Sequence, residues 1–273
     1  MKSHVIPGFG PTLGVTLLYV GLVVLIPLAA LVLRAAGMSG DAFLAAAFAP
    51  RVLAAYRLSF GAALIAAALN LVLGLLVAWV LVRYEFPGRR LADAIVDLPF
   101  ALPTSVAGVA LTALYGPHGT FGALLVPFGI KVAYTPLGVV VAMAFIGLPF
   151  VVRAVQPVLE DIDPEIEDAS TSLGASRLAT FRRVLFPILL PALVSGFAMA
   201  FARGLGEYGS VIFIAGNFPG VSEIAPLLIV NRLEQYDTAG ATAIAVVILA
   251  VAFAMLLVIN TVQKWHNSRF AAA

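Results

Sequence analysis

The sequence contains no cysteine, so disulfides, thiolate metal centres and cysteine nucleophiles are excluded at the outset. Charge is scarce too: Lys, Arg, Asp and Glu together make up only 11% of 273 residues. A soluble domain carries about 25% charged residues, so this chain cannot cover a surface that faces water. Its lysines are Lys2, Lys131 and Lys264, and none follows a glycine. No phosphate-cradling loop ending in Gly-Lys-Ser/Thr is encoded, which excludes ATP hydrolysis by the P-loop mechanism. The histidines, His4, His118 and His266, lie far apart without an HExxH pairing, and no metal site is expected. Disorder is excluded as well, since it needs low hydrophobicity and high net charge and this chain is 62% hydrophobic with a net charge of +2.

What is abundant is apolar sequence. Six stretches stand out, at residues 12–33, 58–82, 94–115, 137–155, 189–215 and 241–262. Each approaches or exceeds the roughly 20 residues a helical span needs, and the strands of a barrel would be shorter and would alternate in polarity. The fold expected is all-α, an integral membrane protein of six transmembrane helices, read as a single domain over residues 1–273. Lys2 followed by an apolar run has the look of a signal peptide, but the run is long for one and five more spans follow, so it is read as a retained helix. With both termini in the cytoplasm, ten basic residues fall inside and five outside (Arg34, Arg51, Arg57, Lys131 and Arg232), as the positive-inside rule favours. The basic excess therefore reads as orientation. Nucleic-acid binding is not expected, because no basic patch with interleaved aromatics occurs.

The cytoplasmic segment at about 160–187 is the most informative. Glu160, Asp161, Asp163, Glu165, Glu167 and Asp168 crowd its start. Asp163 followed by Pro164 is a helix start, and Gly174 is a helix stop. Ile166, Ala169 and Leu173 fall on one face, and a second short helix beginning near Ser176 aligns Leu178, Phe181 and Leu185. So much acid would not lie against an anionic membrane. The apolar faces either pack back on the bundle or meet a partner.

Ionisable groups within a span are costly and mark candidates for function. Arg203 and Glu207 are four apart in the fifth stretch, able to form a structural ion pair or to line a passage, with Arg203 attracting an anion and Glu207 tempering its affinity. In the third stretch Pro99 and Pro103 interrupt the helix start, leaving Thr104 and Ser105 beside a break that is either a packed kink or a place for anion oxygens. Asp93 and Asp97 are read as marking the cytoplasmic membrane edge. Gly204, Gly206 and Gly209 match the spacing of a dinucleotide fingerprint, but they lie in an apolar span rather than between a strand and a helix. Residues 216–237 are too polar to span throughout and suggest a short re-entrant or surface helix at 224–230. Lys264 and Trp265 read as a membrane anchor.

Asp168-Ala-Ser, three residues, Gly174, nine residues and Val184-Leu-Phe-Pro187 resemble the cytoplasmic "EAA" loop of binding-protein-dependent ABC importer permeases. Asp168, Ser170, Val184 and Phe186 stand where that pattern has Glu, Ala, Ile and Leu, and the spacing is intact. The segments Arg83-Tyr-Glu-Phe-Pro-Gly-Arg-Arg90, Asp97-Leu-Pro-Phe-Ala-Leu-Pro-Thr104, Gly147-Leu-Pro-Phe-Val-Val-Arg153 and Gly206-Glu-Tyr-Gly-Ser-Val-Ile-Phe-Ile-Ala-Gly-Asn217 resemble the sulfate/thiosulfate permeases, specifically the T-type subunit. The resemblance implies a type I ABC importer (MetI-like) fold and a non-enzymatic subunit of the bacterial inner membrane. Such a chain carries Asp168, Ala169, Gly174, Leu178, Phe181 and Pro187 in the region coupled to an ATPase. It binds no cofactor itself, and ATP with Mg is used by two ATP-binding cassette subunits. The remaining implied partners are a second homologous permease subunit, membrane lipid and a periplasmic or lipid-anchored sulfate-binding protein. The alternatives are a molybdate or tungstate permease and, from another class, an ion-coupled secondary anion transporter.

Overall fold

A computed structural model describes residues 9–270, with side chains for residues 9–261. Lys2 and the side chains of Lys264 and Trp265 lie outside the described residues. In chain order the elements are α1 (Phe9–Ala36), α2 (Gly40–Ala47), α3 (Pro50–Arg83), α4 (Arg89–Val96), α5 (Leu98–Ala101), α6 (Thr104–Tyr115), α7 (Thr120–Leu125) and α8 (Pro136–Asp161). They continue with α9 (Pro164–Ser172), α10 (Arg177–Leu205), α11 (Val211–Ile214), α12 (Ala225–Glu234) and α13 (Thr238–Phe270). Six helical stretches are long and apolar enough to cross a membrane.

The core is built by α3, α8 and α10, and small side chains let them approach. The buried stripe of α3 runs Val52, Ala55, Tyr56, Ser59, Ala62, Ala63, Ala66, Ala67, Asn70, Gly74, Ala78 and Leu81, at helical spacing. Its other faces expose Leu64, Ile65, Leu69, Val72, Leu73 and Leu76. Small residues inside and large apolar ones outside are the pattern of a helix packed on helices in lipid. Val151 of α8 is the contact point of all three: a Cβ on Gly74 would stand 2.8 Å from its side chain, and one on Gly196 2.9 Å from its Cα. Glycine at 147 likewise makes room for the buried amide of Asn70, whose Nδ2 would lie 2.5 Å from an added Cβ. The last helix packs beside α12, α2 and the outer half of α1, where Arg34 donates to Thr238 Oγ1 at 3.0 Å.

Several boundaries depart from the hydropathy reading, each for a local reason. The third crossing is not one helix over 94–115. The stretch long and apolar enough to cross runs over Thr104–Phe128, and α4 and α5 precede it, the chain breaking at Asp97 and again at Leu102–Pro103, where ψ values of 136° and 131° leave it extended. Pro99 and Pro103 supply no N–H donor, which is why the helix cannot run through. The fifth helix does not cover 189–215 but runs from Arg177 to Leu205. Thus the expected second short surface helix is the N-terminal end of α10, joined to the rest by a wide turn at Phe181–Leu185 just before Pro187. There Phe186 N–H donates to Phe181 O, the five-residue spacing of a π turn, and the missing donor of Pro187 is absorbed. Helix α3 begins at Pro50, eight residues before the apolar run starting at Leu58, because Pro50 is an N1 residue and the polar groups of Arg51 and Tyr56 find partners.

Candidate functional site

Between α8 and α10, α9 is set by its caps. Asp163 accepts from Glu165 N–H at 2.9 Å, and Pro164 follows as the first helical residue. The helix closes with Leu173 N–H on Ala169 O and Gly174 N–H on Thr171 O, and Gly174 takes φ +82°, a left-handed stop that suits glycine. Ser176 then opens α10 by accepting from Ala179 N–H at 3.3 Å. No residue of α9 is buried. Leu173 is 89% exposed and Leu178 75%, and Ile166, Ala169 and Asp168 are exposed beside them. Phe181 is different: it turns inward, edge-on to Trp79 at 5.8 Å, and Pro187 is half-buried. The apolar face of α9 is therefore free of the bundle, while that of the following turn is part of it.

Two side-chain ties hold α9 to the body. Ser170 and Thr180 share a hydrogen bond of 2.9 Å. Arg83 Nη2, at the end of α3, lies 2.7 Å from Glu167 Oε1, an ion pair without the alignment of a hydrogen bond. The guanidinium of Arg83 also sits over the Trp79 ring, 5.8 Å from its centroid.

Within the membrane region the structure joins the two sets of candidates that the sequence left apart. Arg203 Nη1 and Glu207 Oε2 pair at 2.6 Å. Glu207, however, is past the end of α10, in the turn after Gly206, and is buried. Its other oxygen accepts from Ser210 N–H at 2.8 Å and Ser210 Oγ at 2.9 Å, so both oxygens brace the turn. That turn packs on the start of α6. A Cβ on Gly209 would collide with Thr104 Oγ1, and one on Gly108 would stand 2.7 Å from Ser210 Cα. Thr104 is half-buried and Ser105 exposed at this helix start, whose first N–H groups have no acceptor within the helix. Arg203 keeps about a third of its side chain exposed, 34%. A partly exposed guanidinium before this turn, and hydroxyls at a helix N-terminus packed on it, are each groups that attract an anion.

Sequence reasoning missed three charged joints. Arg153 Nη1 donates to Asp93 Oδ1 at 2.6 Å and to Gln156 Oε1 at 2.6 Å, while Nε and Nη2 fork onto the Asp97 carboxylate at 2.8 and 2.6 Å. The two aspartates thus clamp α4 to α8 rather than merely marking a membrane edge. At the start of α3 Arg51 binds Glu223 through Nε at 2.7 Å and Nη2 at 2.6 Å, with Asn231 Nδ2 adding a bond of 3.1 Å to the same buried carboxylate. The third is Arg83 with Glu167. The partners of each joint are far apart in sequence, so spacing could not reveal them. The outer segment does contain a helix, α12, and its Ala225, Leu227 and Leu228 are buried against α3 and α13.

Residues 70–272 match the family described as Binding-protein-dependent transport system inner membrane component. The chain is 52% identical over 268 residues to the sulfate transport system permease protein CysT of Salmonella typhimurium, covering 98% of this chain and 97% of the relative. The protein of the same name from Escherichia coli is 51% identical over 268 residues, with the same two shares of 98% and 97%. That of Synechocystis is 49% identical over 251 residues, 92% of this chain and 88% of the relative. Among solved structures, a bacterial ABC transporter involved in alginate import superposes with a TM-score of 0.76 at 15% identity, over 93% of this chain and 94% of that one. The MetNI methionine ABC transporter gives a TM-score of 0.56 at 18% identity, over 77% and 93%. At such identities these two structures bear on the fold alone, and the fold is that of a type I ABC importer permease. The chain belongs to the binding-protein-dependent transport system inner membrane components, as a multi-pass, non-enzymatic permease subunit.

Proposed function

We propose that this chain forms half of the passage of an ATP-driven importer of sulfate and thiosulfate in the bacterial inner membrane, with both termini in the cytoplasm. The observation that carries the coupling part is the exposed apolar face of α9, a helix shaped by its own caps at the end of the bundle. That face docks on an ATP-binding cassette subunit. A second, homologous permease subunit completes the passage, two ATP-binding subunits use ATP with Mg, and a periplasmic or lipid-anchored binding protein delivers the anion. Identity of about half over nearly the whole chain to proteins named as sulfate permeases supports the substrate.

The mechanism follows from two features of the chain. Docked on α9, the ATPase pair moves the cytoplasmic ends of α8 and α10, which flank α9 in sequence. The spans then rock between inward and outward arrangements. The anion passes near Arg203, Thr104 and Ser105, where one guanidinium and hydroxyl dipoles offset part of a dianion's dehydration. Glu207 holds Arg203 by one oxygen, so the anion meets a cation already partly neutralised, and weak binding favours release. Sulfate is fully ionised at neutral pH, and its passage needs no acid or base.

ATP-dependent uptake of labelled sulfate by the reconstituted complex, competed with unlabelled thiosulfate and molybdate, tests the assignment. Competition by sulfate and thiosulfate is expected. Competition by molybdate alone would transfer the chain to the molybdate and tungstate permeases, and uptake driven by an ion gradient without ATP would make it a secondary transporter.

A further inference from the structure

Among the described residues, the helix α3 meets a charged partner at each of its ends. It runs 34 residues from Pro50 to Arg83 without a break, a rod of about 50 Å. At the outer end Arg51 grips the buried Glu223, which sits between α11 and α12 in the segment on the outer face. At the inner end Arg83 grips Glu167 of α9. Between these points α3 packs along α8 and α10.

The inner pair is placed for transmission rather than for holding α9 in shape. The helix α9 is already closed by its own caps, and its Ser170 bond reaches only Thr180, ten residues on, in the helix that follows it. Those contacts tie α9 to its own chain neighbours. Glu167 to Arg83 spans 84 positions of sequence and, among the described residues, is the one ion pair α9 makes. Both facing atoms, Arg83 Nη2 and Glu167 Oε1, are buried and have no hydrogen-bond partner, so neither has another group to turn to. The Arg83 side chain is also held from behind. It lies over Trp79, which rests edge-on against Phe181 at the foot of α10. A partly buried arginine so fixed acts as a stiff strut, which a solvated pair of long side chains would not.

We propose that the Arg83–Glu167 pair is the joint through which movement of the docked α9 enters α3, and that α3 is the lever relating the ATPase face to the outer segment held by Arg51 and Glu223. This rests on the importer reading above and deepens it. Arg83 and Glu167 are positioning residues: they contact neither ATP nor the anion. Linkage makes the relation reciprocal, so arrival of the loaded binding protein outside is felt at the ATPase through the same rod.

The test uses the whole transporter in proteoliposomes, with its ATP-binding subunits and sulfate-loaded binding protein. Arg83→Gln and Glu167→Gln are each expected to leave copurification of the ATP-binding subunits and basal ATPase activity as in the native complex. Stimulation of the ATPase by the loaded binding protein, and uptake with it, should fall about tenfold, a size ordinary for coupling between sites. The exchanged pair, Arg83→Glu with Glu167→Arg, should recover most of the loss, which a general weakening of the fold would not allow. Native stimulation in the single variants, loss of the ATP-binding subunits from them, or failure of the exchange to recover would each overturn the joint. The native complex separates this outcome from the parent reading: if it shows no stimulation and no uptake, the importer assignment falls and the joint with it.

Discussion

Arg153 presents two nitrogens to the two oxygens of Asp97, Nε to Oδ1 at 2.8 Å and Nη2 to Oδ2 at 2.6 Å, across 56 positions of sequence. The fork pins the segment before the third crossing to α8, and Asp93 and the Phe100–Phe150 ring contact at 5.1 Å reinforce it. Because α8 leads directly into α9, the segment 89–101 is bound to the helix that precedes α9. The helix that follows that segment, α6, is packed on the 207–214 segment instead. The extended Leu102–Pro103 link divides them.

Replacing Arg153 by alanine should loosen that segment. The side chains are between a third and a half exposed, so the charge pairing is screened and its loss is expected to cost about 1 kcal/mol. Arg153→Lys should recover only part of it, since an ammonium cannot fork onto one carboxylate while reaching a second. The thermal midpoint of the detergent-solubilised protein and protease access to residues 89–101 measure the two effects. A lysine variant indistinguishable from native would show that charge alone matters here.

Gly209 is where the braced turn meets α6. Alanine there puts a methyl group onto Thr104 Oγ1 and within 3.4 Å of Ser105 N, and neither backbone can retreat without moving α6. Overpacking of this kind costs about 1–3 kcal/mol. The expected result is a chain that inserts, unfolds at a lower temperature and transports poorly. The companion change Thr104→Ser does not relieve the Oγ clash, whereas Thr104→Ala removes it, leaves a contact of 3.0 Å to Cβ and should restore part of the midpoint in the double variant. A midpoint unchanged by Gly209→Ala would remove this contact from the account.

Gly174 separates steric block from misfolding with unusual clarity. Nothing lies within 4 Å of a Cβ built on it, although its φ of +82° disfavours any side chain by about 1 kcal/mol. Gly174→Ala should therefore be nearly silent in uptake. Gly174→Trp adds bulk at a position with open space around its Cβ, and it should lower the amount of ATP-binding subunit that copurifies while membrane insertion stays normal. Normal uptake by the tryptophan variant would undo the placement of the docking surface.

How much of this was legible in the sequence depends on the range of the interaction. Asp163, Pro164, Gly174 and Ser176 act within a few residues, and the caps expected of them are found. The breaks at Pro99 and Pro103 were legible for the same reason. Hydropathy located all six crossings but misjudged their ends. Residues 206–215 are apolar yet leave α10 in a turn, because the buried Glu207 carboxylate draws Ser210 back onto itself. Exposure in the 160–187 segment was legible for Leu178 and not for Phe181, which rests edge-on against Trp79 of α3, a neighbour that no spacing in the chain announces. Asp93 and Asp97 carried no sign of Arg153. Charge pairs made by tertiary packing leave no spacing in the chain.

The brace at Glu207 also sharpens what Arg203 can reveal. In Arg203→Gln the buried carboxylate loses its counter-charge but keeps its two bonds from Ser210, so a structural cost is certain and a drop in uptake alone proves little. The informative comparison is Arg203→Gln with Glu207→Gln against Arg203→Gln alone. The double variant removes both charges and keeps an oxygen for Ser210, which should return most of the thermal stability lost in the single one. If Arg203 acts only as a counter-ion, uptake returns with stability. If it faces the anion, the stable double variant should still show a KM for sulfate raised about tenfold, the size expected when one charge-assisted contact is lost. Measured at two salt concentrations, that deficit should narrow at the higher one, because screening weakens the native attraction while leaving the variant unaffected. A double variant with native KM and native salt dependence would place Arg203 in the scaffold and off the path.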